Sequence, residues 1–62
     1  MAEIQCITGE AMPNEDGLIA YCVTYADGVE EQNRGSLLEV STLASLAGLH
    51  RAHSSAGTFR YD

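Results

Sequence analysis

A chain of 62 residues with nine acidic side chains, three arginines and no lysine carries a formal net charge of −6. Phosphate binding needs clustered cations that release counterions, so direct nucleic-acid binding and adhesion to anionic membrane surfaces are both disfavoured. A single small domain over residues 1–62 buries only about 60% of the surface its unfolded chain exposes. Leu, Ile, Val and Phe number thirteen, so the core is small, and a second copy or a partner protein would add stability.

The first stretch, Met1-Ala2-Glu3-Ile4-Gln5-Cys6-Ile7, lacks a basic region followed by a sustained apolar one, and no apolar run reaches about eighteen residues. A cytoplasmic protein with reduced cysteines is expected. Glu3 to Thr8 reads as a first short strand. Gly9 to Gly17 brings Gly, Pro, Asn, Glu and Asp together, the composition of a loop. A turn about Asn14 sets Ile4 opposite Thr24, Cys6 opposite Cys22 and Thr8 opposite Ala20.

The densest β-branched and aromatic block is Leu18-Ile19-Ala20-Tyr21-Cys22-Val23-Thr24-Tyr25. Alternation assigns Ile19, Tyr21, Val23 and Tyr25 to one face and Leu18, Ala20, Cys22 and Thr24 to the other. Both faces are substantially apolar, so this strand is expected mid-sheet, with a helix over one side and a partner over the other. Tyr21 and Tyr25, amphipathic and favoured at interfaces, suit that second surface. Asp27-Gly28 predicts a two-residue type I′ turn, which sets Tyr25 opposite Glu30 and Tyr21 opposite Arg34. Val29 to Arg34 is polar on both faces and reads as an edge strand whose charges discourage strand addition.

Two helix starts compete after Gly35. Ser36 with Glu39 three residues on makes a capping box, whereas Ser41 precedes the cleaner spacing of Leu43, Ala44, Leu46 and Ala47. The second is preferred, a helix over Ser41 to Arg51, because Val40, Ser41 and Thr42 are poor interior helix formers. Its stripe comprises Val40, Leu43, Ala44 and Ala47, widened by Leu46 and Leu49, with Arg51 in the last turn. Residues 53–57 connect to a short fourth strand, Thr58 to Tyr61, with Phe59 and Tyr61 on the core side. The expected fold is α+β: a three-stranded antiparallel meander with one helix packed on it and a short C-terminal strand, β-β-β-α-β.

No arrangement of residues carries chemistry. Cys6, Cys22, His50 and His53 lack the close ligand pairs of structural zinc sites, and no Cys or Ser is spaced with His and a carboxylate as a nucleophilic set. No metal, cofactor or enzymatic role is expected. Leu43 to Leu49 resembles the first helix and turn of a helix-turn-helix, but Ser54, Ser55 and Gly57 stand where a recognition helix would need apolar residues. A DNA-binding regulator is therefore a minor alternative.

The favoured function is an acidic protein-binding module, an inhibitor or adaptor, that masks a basic surface such as the nucleic-acid groove of a partner. Small phage-encoded inhibitors often share this size and charge, an analogy at that level only. The expected partner-binding residues are Tyr21, Tyr25, Asp27, Glu30 and Glu31, with Glu10, Glu15 and Asp16 of the first loop. A homodimer closing the uncovered sheet face is the principal alternative.

Overall fold

The fold is a computed structural model that describes residues 2–62. Four strands and one helix follow the expected order: β1 (Ile4–Glu10), β2 (Ile19–Tyr25), β3 (Glu30–Gly35), α1 (Leu37–Leu46) and β4 (Thr58–Tyr61). The strands form one antiparallel sheet in the order β3-β2-β1-β4, so β2 is internal and β3 lies at an edge. The chain is an α+β domain, a three-stranded meander with a helix on one side and β4 added beside β1.

Register departs from expectation in two places, each for a local reason. In β1 an irregularity falls between Ile4, opposite Tyr25, and Cys6, opposite Thr24. Two steps on β1 thus match one on β2, the signature of a β-bulge with Gln5 as the extra residue. The bulge turns Ile4 and Ile7 toward the same face although they are three residues apart. Cys6 and Cys22 are diagonal neighbours for a separate reason: the β1-β2 loop turns about Glu15, one residue later than expected, which sets Cys22 opposite Thr8, and both thiols are free.

The β2-β3 hairpin has a three-residue loop, not the expected two. Gly28 N–H donates to the Tyr25 carbonyl at 2.9 Å and Tyr25 N–H donates to the Val29 carbonyl at 2.9 Å. Gly28 has φ +90° while no non-glycine among the described residues has positive φ. Asp27 therefore stays in an ordinary conformation and accepts from Val29 N–H at 3.1 Å, and Gly28 alone takes the left-handed position of a type I turn with a G1 bulge. The extra residue shifts the pairing by one, to Thr24 with Glu30 and Ala20 with Arg34. Such a slip reverses the faces of β3. Tyr21 sits opposite Asn33, not Arg34.

One face of the sheet and α1 enclose the core of Ile7, Ile19, Val23, Val40, Ala44, Phe59 and Tyr61. Phe59 and Tyr61 meet edge to face, with centroids 5.9 Å apart, a favoured aromatic geometry. Gly9 is opposite Phe59, and a Cβ on Gly9 would lie 2.7 Å from Phe59 Cζ and collide with the Ala20 carbonyl oxygen. Space, not backbone conformation, requires glycine there.

The helix starts at the earlier of the two sites. Ser36 is the N-cap, and its hydroxyl accepts from Glu39 N–H at 3.2 Å. Val40 is fully buried, so packing outweighs the modest helix penalty of Val40, Ser41 and Thr42. The helix stops after Leu46, where Gly48 N–H donates to the Ser45 carbonyl at 3.1 Å and Leu49 N–H to the Ala44 carbonyl at 2.9 Å. Arg51 accordingly lies beyond the helix, its guanidinium 5.9 Å from the centre of the Tyr61 ring. Residues 50–52 run extended along the outer side of β4: Asp62 N–H donates to the His50 carbonyl at 3.0 Å and Ala52 N–H to the Arg60 carbonyl at 2.9 Å.

Candidate docking groove

A ten-residue helix is about 15 Å long, whereas the seven residues of β2 extend about 23 Å. Packed in the core with Ile19 and Val23, α1 leaves the Tyr25 end of β2 partly uncovered. Tyr25 occupies that end and Tyr21 lies between Ile19 and Val23, both tyrosines half-buried on the helix side. This corrects the expectation that the tyrosines face away from the helix. Tyr21 lies near Gly35 at the start of the helix, and Tyr25 lies near its end.

Between Tyr25 and the C-terminal half of α1 runs a groove of about 500 Å³, lined by Ile4, Tyr25, Leu43, Leu46 and Ala47 with Glu3 at its border. Leu46 is 83% exposed and Leu38, on the outer side of the helix, is 76% exposed. Leu46 was expected to widen the buried stripe. Because the helix begins at Leu37 and lies on Val40 and Ala44, Leu46 instead points to the outer side. Between the two leucines Ser41, Thr42 and Ser45 are exposed and uncharged.

The end of the molecule that holds this groove is acidic. Asp27, Glu30 and Glu31 lie on the adjacent β2-β3 hairpin and Glu3 precedes β1. The Tyr25 hydroxyl donates to Glu31 Oε2 at 3.1 Å, and Glu31 Oε1 accepts from Asn33 Nδ2 at 3.4 Å. The hydrogen bond to Glu31 holds the Tyr25 hydroxyl above its ordinary pKa, helped by partial desolvation and by the charges of Glu31 and Asp27. None of the arginines lines the groove. Arg60 pairs with Asp62 at 2.7 Å, an exposed contact of small energetic weight that raises the Arg60 pKa. Arg34 lies on β3, across from Ala20.

Of the expected partner-binding residues, Tyr25, Asp27, Glu30 and Glu31 come together at this end, although Glu30 projects from the opposite face of the sheet beside Thr24. Tyr21 is separated from them along β2. Glu10 closes β1 at the far end, and Glu15 and Asp16 sit in the exposed loop beyond it. Asn14 organises that loop: its side-chain oxygen accepts from Asp16 and Leu18 N–H, both at 2.9 Å. The groove residues Ile4, Leu43, Leu46 and Ala47 were absent from the expected site, because their meeting depends on the bulge at Gln5 and on the helix start.

The second face of the sheet has no element over it among the described residues. It presents Cys6 and Thr8, Ala20, Cys22 and Thr24, Glu30, Gln32 and Arg34, and Thr58 and Arg60. The expectation of a greasy second surface fails here, since Leu18 precedes β2 and the remaining side chains are short or polar. After Gly48 the chain is extended, so Leu43 to Leu49 has no second helix among the described residues with which to form a helix-turn-helix. Among the described residues no three His, Cys, Asp or Glu side chains group as metal ligands, and no helix is long and apolar enough to cross a membrane. No family model, curated protein or solved structure matches the chain.

Proposed function

We propose that this chain is a non-catalytic protein-binding module whose acidic-rimmed groove receives an apolar segment flanked by Lys or Arg on a partner, thereby covering a basic surface. One observation carries this reading. Leu46, 83% exposed, shares the groove with Ile4, Tyr25 and Leu43 at the end where Glu3, Asp27, Glu30 and Glu31 gather. Exposed apolar side chains beside carboxylates suit a partner that supplies both apolar area and cations. The carboxylates would steer the encounter, and Tyr25, fixed by Glu31, would act as a rigid anchor.

A photo-cross-linking side chain placed at Leu46, and in a second protein at Gln32 on the open face, tests the reading in the native host. Cross-links from position 46 to a segment that alternates apolar and basic residues support it, provided that Asp27→Lys with Glu31→Lys removes them. Cross-links from position 32 alone, or insensitivity to the charge reversals, would overturn it.

A further inference from the structure

The free edge of the sheet carries a pattern that the groove does not use. Residues Glu30 to Arg34 of β3 are all exposed, and β3 has β2 on one side only. Antiparallel strands alternate between residues whose N–H and C=O face the neighbour and residues whose groups face away. Tyr25 bonds to Val29, so Val29, Glu31, Asn33 and Gly35 direct their main-chain groups to β2. Glu30, Gln32 and Arg34 therefore present theirs to the open edge.

We propose that β3 pairs with β3 of a second copy of this chain, antiparallel about a two-fold axis at Gln32, joining the two sheets into one. Residues with outward main-chain groups must oppose one another, and the inward-directed residues between them then also oppose one another, which limits the available registers. With Gln32 opposite Gln32, Glu30 faces Arg34 of the second copy and Arg34 faces its Glu30. Glu31 then stands opposite Asn33, a donor it already meets within the chain. A slip of the axis toward the hairpin sets Glu31 against Glu31 or Glu30 against Glu30, and like charges directly opposite are destabilising. A slip the other way forfeits the Glu30–Arg34 pairs. Among the described residues the single ion pair is Arg60–Asp62, which leaves the Arg34 guanidinium open to such a contact. The sequence Glu-Glu-Gln-Asn-Arg thus repels most strands while matching its own inverted copy, an isologous contact.

Sedimentation over a concentration series, with far-ultraviolet circular dichroism as a check on folding, tests this. The wild-type protein is expected to dimerise reversibly. Reversing either charge, Arg34→Glu or Glu30→Arg, turns both symmetry-related pairs repulsive and should weaken the dimer about tenfold or more. Glu30→Arg lowers the net negative charge, so a weaker dimer in that variant cannot arise from overall repulsion. The double variant E30R/R34E re-forms both pairs with inverted polarity and should return close to the wild-type association. A wild-type protein that stays monomeric at millimolar concentration, or a double variant no better than the folded single variants, would overturn the proposal. Arg34→Glu alters neither the groove lining nor its carboxylates, so a weaker dimer with partner capture intact in that variant separates this proposal from partner binding at the groove, whereas Glu30→Arg changes one of the steering carboxylates.

Discussion

Replacing Gly9 by alanine isolates a single steric contact. The new Cβ would lie 2.7 Å from Phe59 Cζ and 2.8 Å from Cε1, and closer still to the Ala20 main-chain oxygen. The aromatic ring is packed in the core and the oxygen belongs to the neighbouring strand, so neither can yield as an exposed side chain would. Overpacking of this kind costs about 1–3 kcal/mol. With neither contact able to yield, the upper part of that range, about 2–3 kcal/mol, applies. Alanine recovers about 0.4–1 kcal/mol through the lower entropy of its unfolded chain, which leaves a net loss of at least about 1 kcal/mol and centrally about 1–2 kcal/mol. Against a total of about 3–9 kcal/mol for a domain of this size, that is a large share, and it corresponds to a fall in Tm of about 4–16 °C. Urea titration and thermal melting of the two proteins measure it. In Phe59→Leu the ring edge is gone, so the same Gly9→Ala change should cost less there, the difference reporting the coupling between the two sites. A Gly9→Ala protein as stable as the wild type would show that the sheet relaxes freely around position 9 and would refute the close-approach argument.

Ser36→Ala removes the cap at the start of α1 and should lower stability by about 1 kcal/mol, read by urea unfolding; an effect near zero would restore the later helix start. Glu31→Gln should lower the pKa of the Tyr25 hydroxyl, seen as phenolate absorbance appearing at lower pH. Because folding raises that pKa above 10.0, its contribution to stability is complete below the unfolded value and is lost as pH rises through the folded one. Wild-type and Glu31→Gln proteins should therefore differ in how steeply stability falls above pH 10.0. Leu46→Asp, at an exposed position, should change stability by no more than about 0.5 kcal/mol while abolishing capture of the partner through the groove. Both cysteines, free in the fold, should react with a thiol reagent without prior reduction, since diagonal placement separates the two residues by about 7–8 Å, beyond the usual Cα spacing of a disulfide.

Element order and edge placement were legible in the residues, and register was not. The run Ile19 to Tyr25 identifies an internal strand, and the polar run Glu30 to Arg34 identifies an edge. Asp27-Gly28 signals a hairpin without giving its loop length, because one positive-φ residue serves a G1 bulge as well as two serve a type I′ turn. That difference of one residue decides which side of the sheet Glu30, Gln32 and Arg34 occupy. The bulge at Gln5 has no local signature, since no glycine or proline marks it. Helix onset was a contest between a cap at Ser36 and unfavourable propensities at Val40 to Thr42, and burial of Val40, a tertiary fact, decided it. Leu46 was read as core for the same reason: its direction follows from the onset and the packing together. The acidic end could be anticipated from Asp27, Glu30 and Glu31, but the apolar cleft beside it required the fold.

The two flanks of the sheet are unlike. Along β4 the chain doubles back, and residues 50–52 occupy the outer hydrogen-bonding positions, with Arg51 laid over Tyr61. Among the described residues strand β3 has no such guard. A molecule with one open flank and one stoppered flank can join a twin but cannot polymerise through its sheet, because the newcomer offers no second docking rail. Association between copies by this route is capped at a pair, which separates a finite particle from a fibre.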